Sequence, residues 1–361
     1  MSKSLWSRGR LATAAIAVMV VGAACTSTQP SPSPSGGGSP APPSAGRLGT
    51  VQGRDRLICG VNGALPGFSF LDQASGENSG FDSDYCRALA AAVLGDPAKV
   101  DFRAVSTEAR GPALQTGEVD VLIRNTTWTV SRDTSWGLFA PTTFYDGQAI
   151  MVRADSGVTD VEGLSGATVC VQSGTTTELN LADQMGARGV PYSPVVFPEI
   201  DPTYAAYEEG RCDAVTSDRS QLVARRTAFA NPDDHSILEE VLSKEPLGPV
   251  APLGGDAWFN IVKWVVYATI EAEEQGITSA NVEEMAASST DPVIRRLLGA
   301  EGELGVGLGL DNDWVVDVIR SVGNYGEIYD RNLGPGTPFD LERGLNSLWT
   351  DGGLLYAPPY R

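Results

Sequence analysis

Between Arg56 and Arg226 the chain repeats one local pattern: a short β-forming run, a turn, then a stretch with apolar residues at helical spacing. RLICGV (56–61) reads as a strand and NGALPG after it as a loop. GFDSDYCRALAAAVLGD reads as a helix. Asp82 or Ser83 supplies its cap, Tyr85, Cys86, Leu89, Ala90 and Val93 form its apolar face, and Gly95 and Pro97 end it. KVDFRAV, a helix around EARGPALQTGE, and VDVLIRN continue the series. A second unit of the same kind starts near Met151. There ATVCVQSGTTTELNLADQM is strand, turn and helix, with Thr175 and Glu178 spaced as a capping box, and PVVFPEI and DAVTSDRSQLVAR follow. Strands alternating with helices predict an α/β fold with a largely parallel sheet.

The 361 residues are enough for two globular lobes. GLFAPTTFYDGQAIMVR and LSKEPLGPVAP read as extended connections, and AWFNIVKWVVYATIEAEE as a long amphipathic helix before a helical tail with glycine-rich breaks. The expected division is residues 54–148 with 249–361 as lobe 1 and 149–248 as lobe 2, the chain crossing near 146–152 and returning near 244–251.

Residues 1–24 read as a signal peptide: Lys3, Arg8 and Arg10 precede the apolar run Leu11 to Val21, and small residues lead into Cys25. VVGAAC resembles the lipobox of bacterial lipoproteins, in which the cysteine carries the lipid; Gly22 stands where a branched residue is usual. Residues 25–53, rich in Pro, Ser and Gly, read as a flexible tether, because such a segment has too little apolar surface to offset its ordering entropy. Lipid, tether and soluble body together predict a domain held just outside a membrane, or a secreted or periplasmic one if the lipobox is not used.

Four further cysteines, Cys59, Cys86, Cys170 and Cys212, fit an exported protein with two disulfides. Of the three connectivities, Cys59 with Cys86 and Cys170 with Cys212 keeps each bridge within one expected lobe. No pair has zinc-site spacing, so no metal is expected, and the single histidine, His235, sits in NPDDHS as a solvent-facing loop residue. With 45 acidic against 26 basic side chains and a net charge of -19, no nucleic acid is expected as a partner.

Against that acidity, RNTTWTVSRD places Arg124 and Arg132 beside an amide and several hydroxyls, an anion-shaped set of donors. This stretch, with GFDSDYCRAL, FYDGQAIMVR, VCVQSGTTTELNL and GRCDAVTSDRS, resembles the extracytoplasmic solute-binding proteins for polar amino acids. SKEPLGPV, LGLDNDW, VGNYGEIYDRN, GLNSLW and YAPP narrow the likeness to binding subunits of general L-amino acid ABC transporters. The resemblance runs from about Asp55 to the end. It implies a two-lobed, type II periplasmic-binding-protein fold with its ligand in a cleft between lobes joined by a two-segment hinge. It also implies permease subunits as partners, no cofactor, and a monomer.

The same resemblance assigns the ligand carboxylate to Asn125, Thr127, Arg132 and Thr176, and the ammonium to Asp218. An arginine suits planar, bidentate recognition, and Thr176 at a helix start adds backbone N–H groups and the positive end of the helix dipole. Asp218 also reads as an N-cap for SQLVAR. Arg124 is placed against the ligand side chain, with a surface ion pair as the alternative. Asn62, Leu65 and Phe68 align with positions that cover the ligand, Phe68 being equally suited to core packing. Asn125 replaces the family's usual hydroxyl, and its Asn-Thr-Thr sequon reads as coincidence. Relatives of this fold include dehydratases, and Glu178 or Asp218 has acid–base chemistry. GVGLGL lacks the last glycine of a dinucleotide motif, and no GxSxG elbow occurs. Binding, not catalysis, is therefore the expected activity, with an amino-acid sensor sharing the same cleft.

Overall fold

A computed structural model describes residues 46–361. The expected signal peptide, Cys25 and most of the expected tether lie outside the described residues. The tether's last part does not: Arg47–Arg54 forms helix α1. Val51 on that helix is fully buried, and Arg47 and Arg54 both pair with the buried Asp120 carboxylate. Val51, the half-buried Leu48 and two guanidiniums anchor a segment whose composition reads as linker.

In chain order, β1 (Leu57–Val61) leads to a small sheet of β2 (Ala64–Leu65), β3 (Ser69–Leu71) and β4 (Asn78–Ser79). Helix α2 (Phe81–Leu94), β5 (Val100–Ala104), α3 (Arg110–Thr116), β6 (Val121–Leu122), α4 (Val130–Ser135) and β7 (Gly137–Phe139) follow. The middle of the chain carries β8 (Phe144–Asp146), β9 (Gln148–Arg153), β10 (Thr168–Gln172), α5 (Thr176–Arg188) and β11 (Ser193–Phe197). After these come α6 (Ile200–Glu208), β12 (Ala214–Asp218), α7 (Arg219–Arg226) and β13 (His235–Ile237). Strands β14 (Glu245–Leu247) and β15 (Val250–Pro252) then lead to α8 (Asp256–Glu274). The tail adds α9 (Val282–Ser288), α10 (Pro292–Leu297), α11 (Leu304–Leu308), α12 (Trp314–Val322) and α13 (Tyr325–Asn332).

Two five-stranded sheets result, ordered β5-β1-β6-β15-β7 in lobe 1 and β11-β10-β12-β9-β13 in lobe 2. In each, the first strand of a βαβ series pairs in parallel with two neighbours. The sheets are mixed, not largely parallel. Strands β15 and β9, which carry the chain out of the crossing region, run antiparallel to β6 and β12. Strand direction is invisible to apolar periodicity, which reports only which residues are buried. Between the sheets lies one antiparallel pair, β8 with β14, in which Asp146 faces Glu245 across the register.

Burial is densest around α2, where α12, α8 and α13 pack against it. An aromatic cluster of Phe68, Phe81, Phe144, Tyr325 and Tyr329 ties the crossing strand β8 to this core. The disulfides are Cys59–Cys86, joining β1 to α2, and Cys170–Cys212, joining β10 to the segment before β12. Each contributes roughly 2–4 kcal/mol, by restricting the unfolded chain in the usual account.

Three local expectations change. Gly80 is the N-cap of α2, with no side-chain cap bond, so Asp82 and Ser83 sit in the first turn and are free to bond elsewhere. Gly80 has φ 125°, and a Cβ there would lie 2.3 Å from the Phe68 carbonyl oxygen, so the position needs glycine. Thr175 caps α5 by accepting from Glu178 N, but the Glu178 carboxylate accepts from Gly174 N, leaving the capping box half formed. His235 is buried on β13, its Nδ1 2.9 Å from the Tyr207 hydroxyl and its ring against Phe229. Burial, then Arg153, pushes its pKa down, favouring the neutral ring.

Candidate functional site

Lobe 1 presents three arginines to one cleft. Thr129 caps α4 by accepting from Arg132 N at 3.3 Å, which fixes the start of the helix that carries Arg132. The Arg132 guanidinium donates to the Thr127 carbonyl at 3.0 Å and lies 4.9 Å from the Trp136 ring, so one end is fastened while it still lines the cleft. Arg110, on α3, also lies over the Trp136 ring and donates to the Thr107 and Gly174 carbonyls at 2.8 and 3.2 Å. Arg124, just after β6, donates to the Val105 carbonyl at 2.7 Å and to the Thr107 hydroxyl at 3.1 Å.

These cations stand in each other's field. Burial pushes the Arg110 pKa well down, and Arg124 and Arg132 push it further. Arg124 falls to about 10 through burial, partly offset by Asp82. The Asp82 carboxyl is itself pushed up to about 6 by burial, although it accepts from Asn125 N at 2.8 Å.

Lobe 2 answers with a helix start and a carboxylate. Thr176 is the first residue of α5, and Gln148 holds that end by donating to the Thr177 carbonyl at 2.9 Å. Asp218 ends β12 and occupies the N-cap position of α7, yet makes no cap hydrogen bond. It is buried and lines the cleft. Burial raises its pKa well above the ordinary carboxylate value, the Asp146 and Glu245 carboxylates raise it further, and Arg132 and Arg110 pull it back. A carboxylate in this setting gains strongly from a cation placed beside it.

Asn125 joins the two sides. Its backbone is left-handed, φ 27°, a conformation asparagine tolerates better than most residues. Its side chain accepts from Asn62 at 3.0 Å and donates to Gln221 at 3.2 Å, so the sequon asparagine is engaged in both directions. Gln172 donates to Thr107 at 2.9 Å, and Arg225 to the Ala64 carbonyl at 3.1 Å, which completes a closed arrangement.

Asn62, Arg124, Asn125, Thr127, Arg132, Thr176 and Asp218 therefore line one cleft. Phe68 does not. It is fully buried against Phe81 and Phe144, because the loop turns its ring into the lobe 1 core, and Leu65 is buried likewise. Sequence reasoning missed Thr107, Arg110, Gln172 and Gln221, all of which line the cleft. Arg110 had no local signal: EARGPALQ reads only as part of a helix. Glu178, considered as an acid–base group, is turned to Gly174. Among the described residues no group of three or more His, Cys, Asp or Glu is placed to hold a metal, and no helix is long and apolar enough to cross a membrane.

Guanidiniums on one wall, and a helix start with an uncapped carboxylate on the other, match the two ends of an α-amino acid. Comparison with known proteins agrees. The family described as bacterial extracellular solute-binding proteins, family 3, matches residues 57–246. The general L-amino acid-binding periplasmic protein AapJ of Rhizobium johnstonii is 53% identical over 321 residues, covering 88% of this chain and 94% of that one. The glutamate/glutamine/aspartate/asparagine-binding protein BztA of Rhodobacter capsulatus is 50% identical over 319 residues, covering 88% and 94%. Among solved structures, an ABC transporter periplasmic binding protein from Brucella ovis with glutathione bound superposes with a TM-score of 0.86 at 53% identity. That match covers 88% of this chain and 100% of the other.

Proposed function

Because the chain belongs to family 3 of the bacterial extracellular solute-binding proteins, we propose that it captures L-amino acids in this cleft and delivers them to the permease subunits of an ABC transporter. The observation that carries the reading is the convergence on one cleft of Arg132 from lobe 1 and, from lobe 2, the α5 start and the buried, uncapped Asp218. Asn125, Arg132, and Thr127 and Thr176 through their backbone N–H groups take the ligand carboxylate, and Asp218 takes the ammonium. Residues 54–148 with 249–361 close on 149–248 about the β8–β14 pair, as in hinge-type closure. Cys25, in its lipobox-like setting, anchors a monomeric receptor to the outer face of the cell membrane. The activity is binding without catalysis.

Arg110 and Arg124 exceed what one carboxylate needs. Two buried guanidiniums beyond Arg132 favour a ligand whose side chain brings a second carboxylate or an amide oxygen, in keeping with the names of the relatives. A thermal-shift panel of L- and D-amino acids tests the reading, since a ligand that binds only the folded protein raises its apparent stability. L-glutamate, L-aspartate, L-glutamine and L-asparagine are expected to give the largest shifts. A flat panel would refute the function. Arg124→Met is expected to lower affinity for L-glutamate more than for L-alanine; equal losses would remove Arg124 from the side-chain pocket.

A further inference from the structure

Glu245 opens β14, on the strand pair that joins the lobes, and is 1% exposed. Its Oε2 accepts from the Thr127 hydroxyl at 2.6 Å and from the Thr176 hydroxyl at 2.8 Å. Its Oε1 accepts from Asn180 Nδ2 at 2.8 Å and from the Ser243 hydroxyl. Thr127 belongs to the Arg132 side of the cleft and Thr176 to the α5 side, and their hydroxyl oxygens are 3.3 Å apart. One oxygen on the crossing strand thus holds one hydroxyl from each lobe.

A hydroxyl has a single proton to donate and two lone pairs to offer. Once each threonine gives its proton to Glu245, both present lone pairs to the cleft and neither can donate to a ligand carboxylate. We infer that Glu245 is the positioning residue of amino-acid capture: from the hinge it sets Thr127 and Thr176 as acceptors and leaves the ligand carboxylate to Arg132 and the backbone N–H groups of α5. The inference rests on the amino-acid-binding function proposed above. It also links the site to closure. Moving the lobes apart draws at least one hydroxyl away from the buried Oε2, and a buried carboxylate that loses a hydrogen-bond donor is disfavoured. The bond pattern at Glu245 is therefore complete only when the cleft is shut.

The test is a double-mutant cycle on L-glutamate and L-glutamine affinity by calorimetry, using wild type, Glu245→Gln, Thr127→Val and the double variant. Glu245→Gln replaces one of the two accepting oxygens by an NH2, so that either the Thr127–Thr176 pair or the Asn180–Ser243 pair loses its acceptor and the shut cleft loses bonds that only closure completes. Affinity is expected to fall by at least about tenfold. In the Thr127→Val background the same change is expected to cost clearly less, because one of its two targets is already gone. Thermal unfolding of the ligand-free variants separates this from a packing role, which would lower the melting temperature without coupling the affinities. Unchanged affinity in Glu245→Gln, or strictly additive losses, overturns the inference. Should Glu245→Gln fail to fold, Glu245→Asp, which keeps the charge and shortens its reach, carries the same expectation, and full affinity in that variant overturns it too. Failure of wild type to bind either ligand would instead defeat the binding function itself.

Discussion

The two walls of the cleft are opposites in charge. Lobe 1 brings Arg110, Arg124 and Arg132 together, and burial and mutual repulsion push the first of them well below an ordinary arginine. Lobe 2 brings Asp218, and the hinge adds Asp146 and Glu245, so burial and like charge push Asp218 the other way. Each wall is electrostatically unfavourable alone. Facing each other across a closed cleft they offset part of that cost, and a zwitterion bound in the orientation proposed above is expected to offset more. On the proposed function, selectivity for amino acids over simple anions or amines is expected, because only a ligand with both charges meets both walls.

Breaking the lobe 1 wall has the largest expected effect. Arg132→Ala removes the guanidinium already fastened to the Thr127 carbonyl, and truncating one partner of a buried, hydrogen-bonded charge pair costs about 2–5 kcal/mol. Affinity for L-amino acids is expected to fall by at least about thirtyfold in calorimetry. Retained affinity would mean that Arg110 or Arg124 holds the carboxylate and that the assignment of roles within lobe 1 is wrong.

Asp218→Asn breaks the other wall, with a smaller loss of about tenfold to a hundredfold, since an amide oxygen still accepts from an ammonium. The ligand-free protein should respond in the opposite sense. The folded-state pKa of Asp218 lies well above the ordinary value, so its ionised form opposes folding at neutral pH, and removing the charge raises the melting temperature. A variant less stable without ligand would show that Asp218 is structural, despite the missing cap bond.

How much of this cleft could be read from the chain depends on whether its residues are neighbours in sequence. Arg124, Asn125, Thr127 and Arg132 lie in one stretch, and Thr176 and Asp218 each follow a strand at a helix start, where strand, turn and helix are all visible in the pattern. Arg110 and Glu245 were not legible. Arg110 faces the cleft because α3 packs beside Trp136, and Glu245 reads as part of an extended connection until β14 pairs with β8. His235 and α1 were misread for the same reason. NPDDHS and the start of α1 have turn-like or linker-like composition, but Tyr207 and Asp120, distant in sequence, decide their burial. Phe68 had two readings locally, and only the position of Phe144 selects the core.

The smallest expected effect concerns Asp82, a buried carboxylate beside the cleft arginine Arg124. Asp82 accepts from Asn125 N and is pushed up to about 6 from 3.8. Between about pH 4 and 6 the folded protein thus binds more protons at this site than the unfolded chain, so stability from Asp82 is fully present below about pH 4 and is lost as pH rises to about 6. Two pKa units correspond to at most about 3 kcal/mol. Asp82→Asn keeps an acceptor for Asn125 N and removes the titration, but it brings two new N–H donors, so a net gain on the order of 1 kcal/mol at pH 7 is expected. Denaturant unfolding at intervals from pH 4 to 8 reads it directly: the variant's advantage should grow between about pH 4 and 6 and then level off. An advantage that stays flat or shrinks across that window would show that Asp82 is ionised throughout and belongs, with the arginines, to a wall whose charges are already matched.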